Sequence, residues 1–344
     1  MQGGKPENMV IRRFVLAAAA VFIGLFAIPA VLMAQELSTV FARPQFDPVS
    51  AFNPASADKI LLGRHLFFDP RLSARNDMAC ASCHQPEYFW ADPKGVSSGS
   101  DGRPRPRRTP SLLDVGWQRS LTWDGRVDTL EGFVLQPVAH PKEMAQDLDL
   151  LVDELMEVPG YQRLFERAFP DEGVSLGGIS LSIAAFLRTL RTGPSAFDRW
   201  IAGDADAISK EAEQGFYLFT GRAACSHCHS GWRFSDGGFH NIGTAKGNPG
   251  RGRYDRNDPL MVGAFRTPGL RNVAERSSFM HDGAFTSLEQ VLDHYDCQCG
   301  MAEKQSWQVA LDRNDKLKLL AFLKTLSDDQ PVGDPIPIEG QPIP

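Results

Sequence analysis

Two short cysteine–histidine motifs constrain this chain more than any other feature of its sequence. Both have the pattern C-x-x-C-H, and they read Cys80-Ala-Ser-Cys83-His84 and Cys225-Ser-His-Cys228-His229. Two thiols three positions apart reach the two vinyl groups of one porphyrin, and the next imidazole then lies under the iron. Composition alone predicts roughly 0.002 such pentapeptides in a chain of this size, so two are not accidental. The sequence therefore predicts two covalently bound haem c groups.

Each motif supplies two thioether links and one iron ligand. The predicted attachment residues are Cys80, Cys83, Cys225 and Cys228, and the predicted iron ligands are His84 and His229. A redox C-x-x-C pair gives no reason for the following histidine. Zinc needs four ligands in one cluster, whereas the motifs lie 145 positions apart. His227, inside the second motif, is expected to be a spacer.

The N-terminal segment predicts export. Arg12 and Arg13 precede an apolar run of 21 residues from Phe14 to Ala34, and the chain then turns polar. Such a pattern is typical of a secretory signal, with cleavage after Ala34. An apolar run of this length also spans a bilayer, so an uncleaved anchor stays open. Both outcomes place the rest of the chain outside the cytoplasm, and we predict a periplasmic protein.

Hydrophobic spacing predicts helices around the two motifs. Apolar residues recur every three or four positions in the segments 150–157, 178–190, 209–219 and 316–326, as they do in amphipathic helices. A length of 344 residues predicts two domains, and Thr192-Gly-Pro-Ser interrupts the helical pattern between the motifs. The net charge of −6 gives no reason to expect nucleic-acid binding.

We predict an all-α fold with one haem in each half. Its parts are a signal segment 1–34, an N-terminal haem domain 35–200, a C-terminal haem domain 201–330 and a flexible tail 331–344.

Five longer segments resemble the bacterial di-haem cytochrome c peroxidase and MauG family. They are LGRHLFFDPRLSA, TWDGRVDTLEG, PVAHPKEM, FRTPGLRNV and FMHDGAFTSLEQVLDHY. The resemblance runs from about Phe46 to Leu326 in the order of the family. It implies two cytochrome c-like domains with long loops, whose haems face a shared interface. It also implies hydrogen peroxide as substrate, and as partner either an electron-donor protein or a protein whose side chains are oxidised.

The first haem is predicted to have one open iron face. Members of the family can supply a second histidine from the loop after the first motif. Here no histidine occurs between His84 and His140, and the segment 85–114 contains neither methionine nor cysteine. The first haem is therefore expected to be five-coordinate and open to peroxide.

The resemblance assigns two residues near the peroxide site. Glu143 matches the distal acid, and a carboxylate there moves a proton between the two peroxide oxygens; the alternative is a surface glutamate. His140 is a weaker distal candidate, and Phe133 stands where the family usually has glutamine. Trp123 matches the tryptophan that bridges the haems, and the alternative is a core residue.

The sixth ligand of the second haem decides the functional class. The resemblance places this ligand fourteen residues after His281, at Tyr295, where the peroxidases have methionine. Ser287 with Gln290 forms a capping-box signal, which predicts a helix that ends at Tyr295. A phenolate oxygen is hard and favours oxidised iron. The sequence thus favours a MauG-like enzyme over a cytochrome c peroxidase or a two-haem electron carrier; Tyr295 as a core residue and Met280 as the ligand stay open.

Calcium is doubtful in this chain. The family's calcium site uses an asparagine where Arg108 stands, and a guanidinium cannot ligate a cation. One interpretation is that Arg108 donates to the carbonyls of Arg276 and Ser278 instead. Arg108 also ends a basic run with Arg103, Arg105 and Arg107. We interpret this run as a solvated loop, with a docking or propionate-binding role as the alternative.

Cys297 and Cys299 follow Tyr295 in the segment YDCQC. Their spacing makes a mutual disulfide strained, and free thiols are uncommon outside the cytoplasm. A local disulfide, a metal contact and pairing with a partner all stay open.

Overall fold

The computed structural model describes residues 39–296 and 308–328. The signal segment, the C-terminal tail, Cys297 and Cys299 lie outside this part of the chain. Residues 39–41 are helical, and the α-helices that follow are α1 (Ala57–Phe68), α2 (Leu130–Phe133), α3 (Leu135–Ala139), α4 (Leu148–Met156), α5 (Pro159–Ala168), α6 (Leu176–Leu187), α7 (Ala196–Ile201), α8 (Lys210–Thr220), α9 (Leu288–Tyr295) and α10 (Arg313–Lys324). The longest connections, 69–129 and 221–287, each contain four 3₁₀ turns, whereas a single residue separates α2 from α3.

One small sheet departs from the predicted all-α class. Strands β1 (Phe239–His240) and β2 (Phe265–Arg266) pair antiparallel, with Phe239 opposite Arg266. The protein is therefore mostly helical, as predicted, with a two-residue β-ladder inside the loops of its second half. No helix in the described ranges has the length and apolar character needed to cross a membrane.

The helices begin at the polar residues that predict them. Ser287 caps α9 by accepting from the backbone N–H of Gln290 at 3.3 Å. The amide oxygen of Gln290 reaches past the cap and accepts from the N–H of Thr286 at 2.8 Å. These side chains satisfy backbone donors that the helix itself leaves free. The helix runs from Leu288 to Tyr295, which confirms the predicted helix that ends at Tyr295.

Each half is built around a pair of helices that cross at a glycine. Helix α1 packs on α6, and α8 packs on α10. A Cβ on Gly63 of α1 would lie 1.9 Å from the carbonyl oxygen of Ser182, and a Cβ on Gly215 of α8 would lie 2.0 Å from that of Lys318. The two helix pairs thus touch backbone to backbone in the same way.

Two separate hydrophobic clusters surround these crossings. The first cluster includes Leu66, Phe67 and Phe186, and the second includes Phe216 and Phe322. Helix α7 contributes Phe197 to the second cluster, and Phe41 packs there too. The domain limits 35–200 and 201–330 stay a prediction.

The same loop connection recurs in each half. The N–H of Asp114 donates to the carbonyl of Leu190 at 2.8 Å, and the N–H of Asn272 donates to that of Leu326 at 3.1 Å. Both donors have a φ of 56°, the left-handed conformation that Asn and Asp tolerate best. The segment that follows α6 is therefore hydrogen-bonded to the loop that contains Arg-Thr-Pro at 108–110. The segment that follows α10 is hydrogen-bonded to the loop that contains Arg-Thr-Pro at 266–268.

Candidate functional site

Each C-x-x-C-H motif folds as one tight turn. The N–H of His84 donates to the carbonyl of Cys80 at 3.0 Å, and the N–H of His229 donates to that of Cys225 at 2.9 Å. Both turns contain a 3₁₀ helix that begins at the first cysteine. The predicted attachment residues and the histidine are thereby gathered at one end of each turn.

The two histidine rings are oriented by backbone carbonyls. Nδ1 of His84 lies 3.2 Å from the carbonyl oxygen of Trp90, and Nδ1 of His229 lies 2.9 Å from that of Phe234. Trp90 and Phe234 have φ values of 58° and 54°, which turn these carbonyls back toward the rings. A ring that donates through Nδ1 presents a bare Nε2 as its ligand atom.

Burial keeps both rings neutral. It lowers the pKa of His84 to about 4 and also lowers the pKa of His229. Metal binding requires the neutral imidazole, so both rings suit an axial position. The two thiols that open the motifs are also neutral, because burial raises the pKa of Cys80 and of Cys225 to about 12.

Tyr295 lies at the second motif. It ends α9, and burial together with the nearby Cys225 and Cys228 raises the pKa of its hydroxyl. The preceding His294 donates its Nε2–H to the carbonyl of Ile242 at 2.7 Å, which fixes the end of the helix against the loop before it. The structure therefore brings the predicted sixth-ligand residue to the second haem site.

Glu143 lies at the first motif, and His140 does not. Burial raises the pKa of the Cys83 thiol, and the nearby carboxylates of Asp92 and Glu143 add to that rise. The carbonyl of Glu143 accepts from the N–H of Ser100 at 2.8 Å, so the residue is anchored to the loop that follows the motif. His140 is exposed, and its Nδ1 accepts from its neighbour Lys142.

Trp123 is buried between the two halves, with 4% of its surface exposed. Its indole N–H donates to the carbonyl of Arg108 at 2.8 Å. Its own carbonyl accepts from the N–H of Arg266 at 2.9 Å. Because Arg108 and Arg266 belong to the two Arg-Thr-Pro sequences, Trp123 is tied to the equivalent loop of each half.

Asp124, which follows Trp123, holds the loop around the tryptophan in place. The carboxylate of Asp124 accepts from Thr122 at 2.6 Å, from Arg107 at 2.7 Å and from Arg126 at 3.2 Å. Only 2% of Asp124 is exposed, and buried charge pairs with this many hydrogen bonds hold a fixed geometry. The position of the indole is therefore set by side chains on both sides of it in the sequence.

A positively charged cleft joins the two haem sites. It is lined by Trp123, by Pro110 and Pro268, and by five arginines: Arg108, Arg233, Arg266, Arg271 and Arg276. The backbone of Pro110 lies within hydrogen-bonding reach of the His84 ring, and that of Pro268 within reach of the His229 ring. The cleft therefore borders both histidines.

Most of these five arginines form no ion pair with a carboxylate among the described residues. Arg271 forms a two-bond pair with Asp198 at 2.8 Å, but Arg266 and Arg276 donate to backbone carbonyls. Burial lowers the pKa of Arg266 to about 10 and that of Arg276 to about 9. Buried, unneutralised guanidinium groups call for an anion. The propionates of two haems would supply that anion to Arg266 and Arg276, so the residues present fit the predicted cofactors.

The basic run in the sequence is not a solvated loop throughout, and that interpretation is wrong for two of its members. Arg107 pairs with Asp124, and Arg108 lines the cleft, because this segment folds beneath the Trp123 loop. The guanidinium of Arg108 donates to the carbonyl of Met280 at 3.3 Å rather than to those of Arg276 and Ser278.

Sequence reasoning missed the arginines contributed by the second half. Arg233 belongs to no motif, but the repeat of Arg-Thr-Pro after each haem motif was a usable signal for Arg266. Another cluster adds no separate site: Cys228, Asp236 and His240 lie within 4.8 Å of one another, and Cys228 already belongs to the second haem motif.

The paired histidine turns, both bordering one cationic cleft, are the arrangement expected of a c-type di-haem protein. A family model for di-haem cytochrome c peroxidase matches residues 57–206. The methylamine utilization protein MauG of Methylorubrum extorquens is 42% identical over 296 residues, which cover 84% of each chain. The cytochrome c551 peroxidase of Nitrosomonas europaea is 32% identical over 295 residues, covering 84% of this chain and 86% of that protein.

A solved structure of a MauG-like protein associated with microbial copper homeostasis is also similar. It has a TM-score of 0.76 and 33% identity, and the match covers 86% of this chain and 97% of that one. The chain therefore belongs to the di-haem cytochrome c peroxidase and MauG family of peroxide-dependent oxidoreductases.

Proposed function

We propose that this protein is a periplasmic di-haem enzyme that reacts with hydrogen peroxide and oxidises side chains of a partner protein, with tryptophan as the expected target. The observation that carries the proposal is Tyr295 beside the second C-x-x-C-H turn. A phenolate favours oxidised iron, whereas a thioether favours reduced iron. Tyr295 therefore suits a haem that stores oxidising equivalents rather than one that admits electrons.

The residues of the first site have separate tasks. Haem supplies an iron that binds peroxide and takes up its oxidising equivalents. His84 would hold that iron through Nε2, and the segment 85–114 has no histidine, methionine or cysteine that would compete with peroxide for it. Glu143 would take the proton from the inner peroxide oxygen and return it to the outer oxygen, so that water leaves.

Trp123 would carry electrons from the second haem site to the first. Its indole is buried and hydrogen-bonded at Arg108, and its backbone is held at Arg266. His229 and Tyr295 would both hold the second iron and so would leave it closed to peroxide. The protein substrate would then donate electrons from outside, without entering either haem pocket.

Spectroscopy of the purified holoprotein tests this proposal. We expect one high-spin and one low-spin ferric haem by EPR, and a near-infrared band after one equivalent of peroxide that reports charge shared between the haems. The Tyr295→Met variant should lose the long-lived oxidised state and turn over faster with reduced cytochrome c. A Tyr295→Met protein that keeps this state would contradict the role of Tyr295.

A cytochrome c peroxidase is the second candidate. It is favoured by the identity to the cytochrome c551 peroxidase of Nitrosomonas europaea. In that case the wild-type protein would reduce peroxide rapidly with a reduced cytochrome c or cupredoxin and would show no near-infrared band. Two low-spin haems that are inert to peroxide would contradict both candidate enzymes and indicate a simple electron carrier.

A further inference from the structure

Arg108 forms an unusual pair with Trp123. Its guanidinium lies over the indole, with the central carbon 5.4 Å from the ring centroid. The indole N–H donates to the backbone carbonyl of the same arginine at 2.8 Å. One residue therefore contacts both the face and the nitrogen of the tryptophan.

The same arginine reaches into the second half. Its guanidinium donates to the carbonyl of Met280 at 3.3 Å, and its backbone N–H donates to that of His281 at 2.9 Å. Arg108 therefore spans the interface and holds the indole in register with the loop that precedes α9.

The charge of Arg108 is not neutralised by a neighbouring carboxylate in the described part of the chain. The adjacent Arg107 shows the contrast, because it is paired with Asp124 at 2.7 Å. The polar acceptor of the Arg108 guanidinium is a carbonyl, and Arg276 adds further positive charge nearby. Cation–π attraction is strongest where the cation is desolvated and unpaired.

We propose that Arg108 is a positioning residue that makes Trp123 difficult to oxidise, so that the indole passes electrons between the haems without storing the oxidising equivalent. The inference rests on the proposed function. An oxidised indole is a cation, and the guanidinium against its face repels that new charge. The carbonyl that accepts the indole N–H is too weak a base to take the proton.

The electron transfer balances without any atom transfer. Trp123 would give one electron to the haem held by His84, with peroxide as the oxidant, and would regain one electron from the haem held by His229 and Tyr295. The indole N–H stays on nitrogen throughout. The net change is the movement of one electron from the second haem to the first, and the tryptophan ends as it began.

The test is the site of the unpaired electron after one equivalent of peroxide, followed by EPR and near-infrared absorption. The Arg108→Gln variant removes the charge. We expect its indole radical signal to rise roughly 10-fold, with a matching loss of the near-infrared band. Arg108→Lys keeps the charge and should stay within about 2-fold of the wild type on the same reasoning.

Arg191 offers a matched control. Its guanidinium lies 5.0 Å from the ring centroid of Trp117, so Arg191→Gln removes a similar contact from a tryptophan outside the proposed path. This variant should leave both signals unchanged. If Arg108→Gln does not fold, Arg108→Met removes the charge but keeps apolar contact with the indole.

The outcomes separate this inference from the proposed function. A wild-type protein that does not react with peroxide overturns the proposed function. A reactive wild type whose neutral Arg108 variant keeps the wild-type radical level overturns the inference alone. Arg108→Lys behaving like Arg108→Gln also overturns it, since the charge would then not be the cause.

Discussion

The rings of His84 and His229 each rest on a carbonyl a few residues later in the chain. That contact fixes which nitrogen carries the proton, and therefore which nitrogen is left for iron. This contact requires a positive φ at Trp90 and at Phe234, which is strained for residues other than glycine. The strain sits next to the proposed ligands, where it serves to aim them.

The residue-scale prediction concerns Glu143. Replacing it with Gln removes the proton-carrying oxygen but keeps the size of the side chain. We expect the reaction with peroxide to slow by about 10²- to 10³-fold, in the range of general acid–base catalysis. Stopped-flow absorption of the ferric holoprotein gives the rate. His140→Gln is the matched control, because His140 is exposed, and its rate should not change.

An equal loss in both variants would contradict the assignment of the proton transfer to Glu143. So would a Glu143→Gln protein that reacts at the wild-type rate while retaining its high-spin haem.

At the scale of elements, the pair α1 and α6 supports the first haem motif, and the pair α8 and α10 supports the second. The short turn after α8 leads directly to Cys225, so any shift of α8 moves the second motif. Gly215 allows α8 to rest on the backbone of α10. Small residues at such crossings permit a close approach that larger side chains forbid.

The element-scale prediction is that Gly215→Ala destabilises the protein. The new Cβ would lie 2.0 Å from the carbonyl oxygen of Lys318, so the helices must separate. We expect a loss of roughly 1 to 3 kcal/mol in the free energy of unfolding, since overpacking outweighs the better helix propensity of alanine. Denaturant unfolding of the holoprotein measures it.

Gly177→Ala in α6 is the control for this prediction. A Cβ there meets only Ser175 Oγ, at 3.9 Å, so the change should be neutral or stabilising by up to about 1 kcal/mol. If Gly215→Ala leaves the free energy of unfolding unchanged, α8 and α10 can separate without loss of stability, which contradicts the prediction.

At the scale of the whole molecule, Asp328 joins the segment that follows α10 to the connection between the halves. Its carboxylate accepts from the N–H of Gly193 at 2.9 Å and from the Asn272 amide at 3.1 Å. Burial, with the charge of Asp114 acting in the same direction, raises the pKa of Asp328 to about 6, although Arg271 opposes that rise.

This raised pKa makes the stability depend on pH. A carboxyl group with a higher pKa in the folded state favours folding most when it is protonated, so stability falls as the pH rises from about 4 to about 6. We expect Asp328→Asn, which keeps an oxygen acceptor for Gly193, to raise the free energy of unfolding by about 1 to 2 kcal/mol at pH 7.5 and much less at pH 4.5. Urea unfolding at both pH values measures this difference, and an equal effect at the two values would contradict it.

Several features were predictable because they act over a few residues. Thiol spacing and the adjacent histidine define each haem motif, and Ser287 predicts the start of α9 and so the position of Tyr295 at its end. The small sheet of β1 and β2 was not predicted, since strands of two residues leave no periodic pattern. The repeat of the helix crossing was only partly visible, because Gly63 and Gly215 resemble ordinary helix glycines until their partners are known.

The sequence by itself determined the two C-x-x-C-H motifs of this protein, its mostly helical character and its membership of a haem-binding family. Only the tertiary structure decided the environment of its arginines. Arg107 and Arg108 are neighbours with the same chemistry, yet Asp124 neutralises Arg107, whereas Arg108 lies over Trp123 with no carboxylate partner among residues 39–296 and 308–328. Motif chemistry is fixed by nearest neighbours in the chain, whereas the effect of a buried charge depends on which distant segments fold around it.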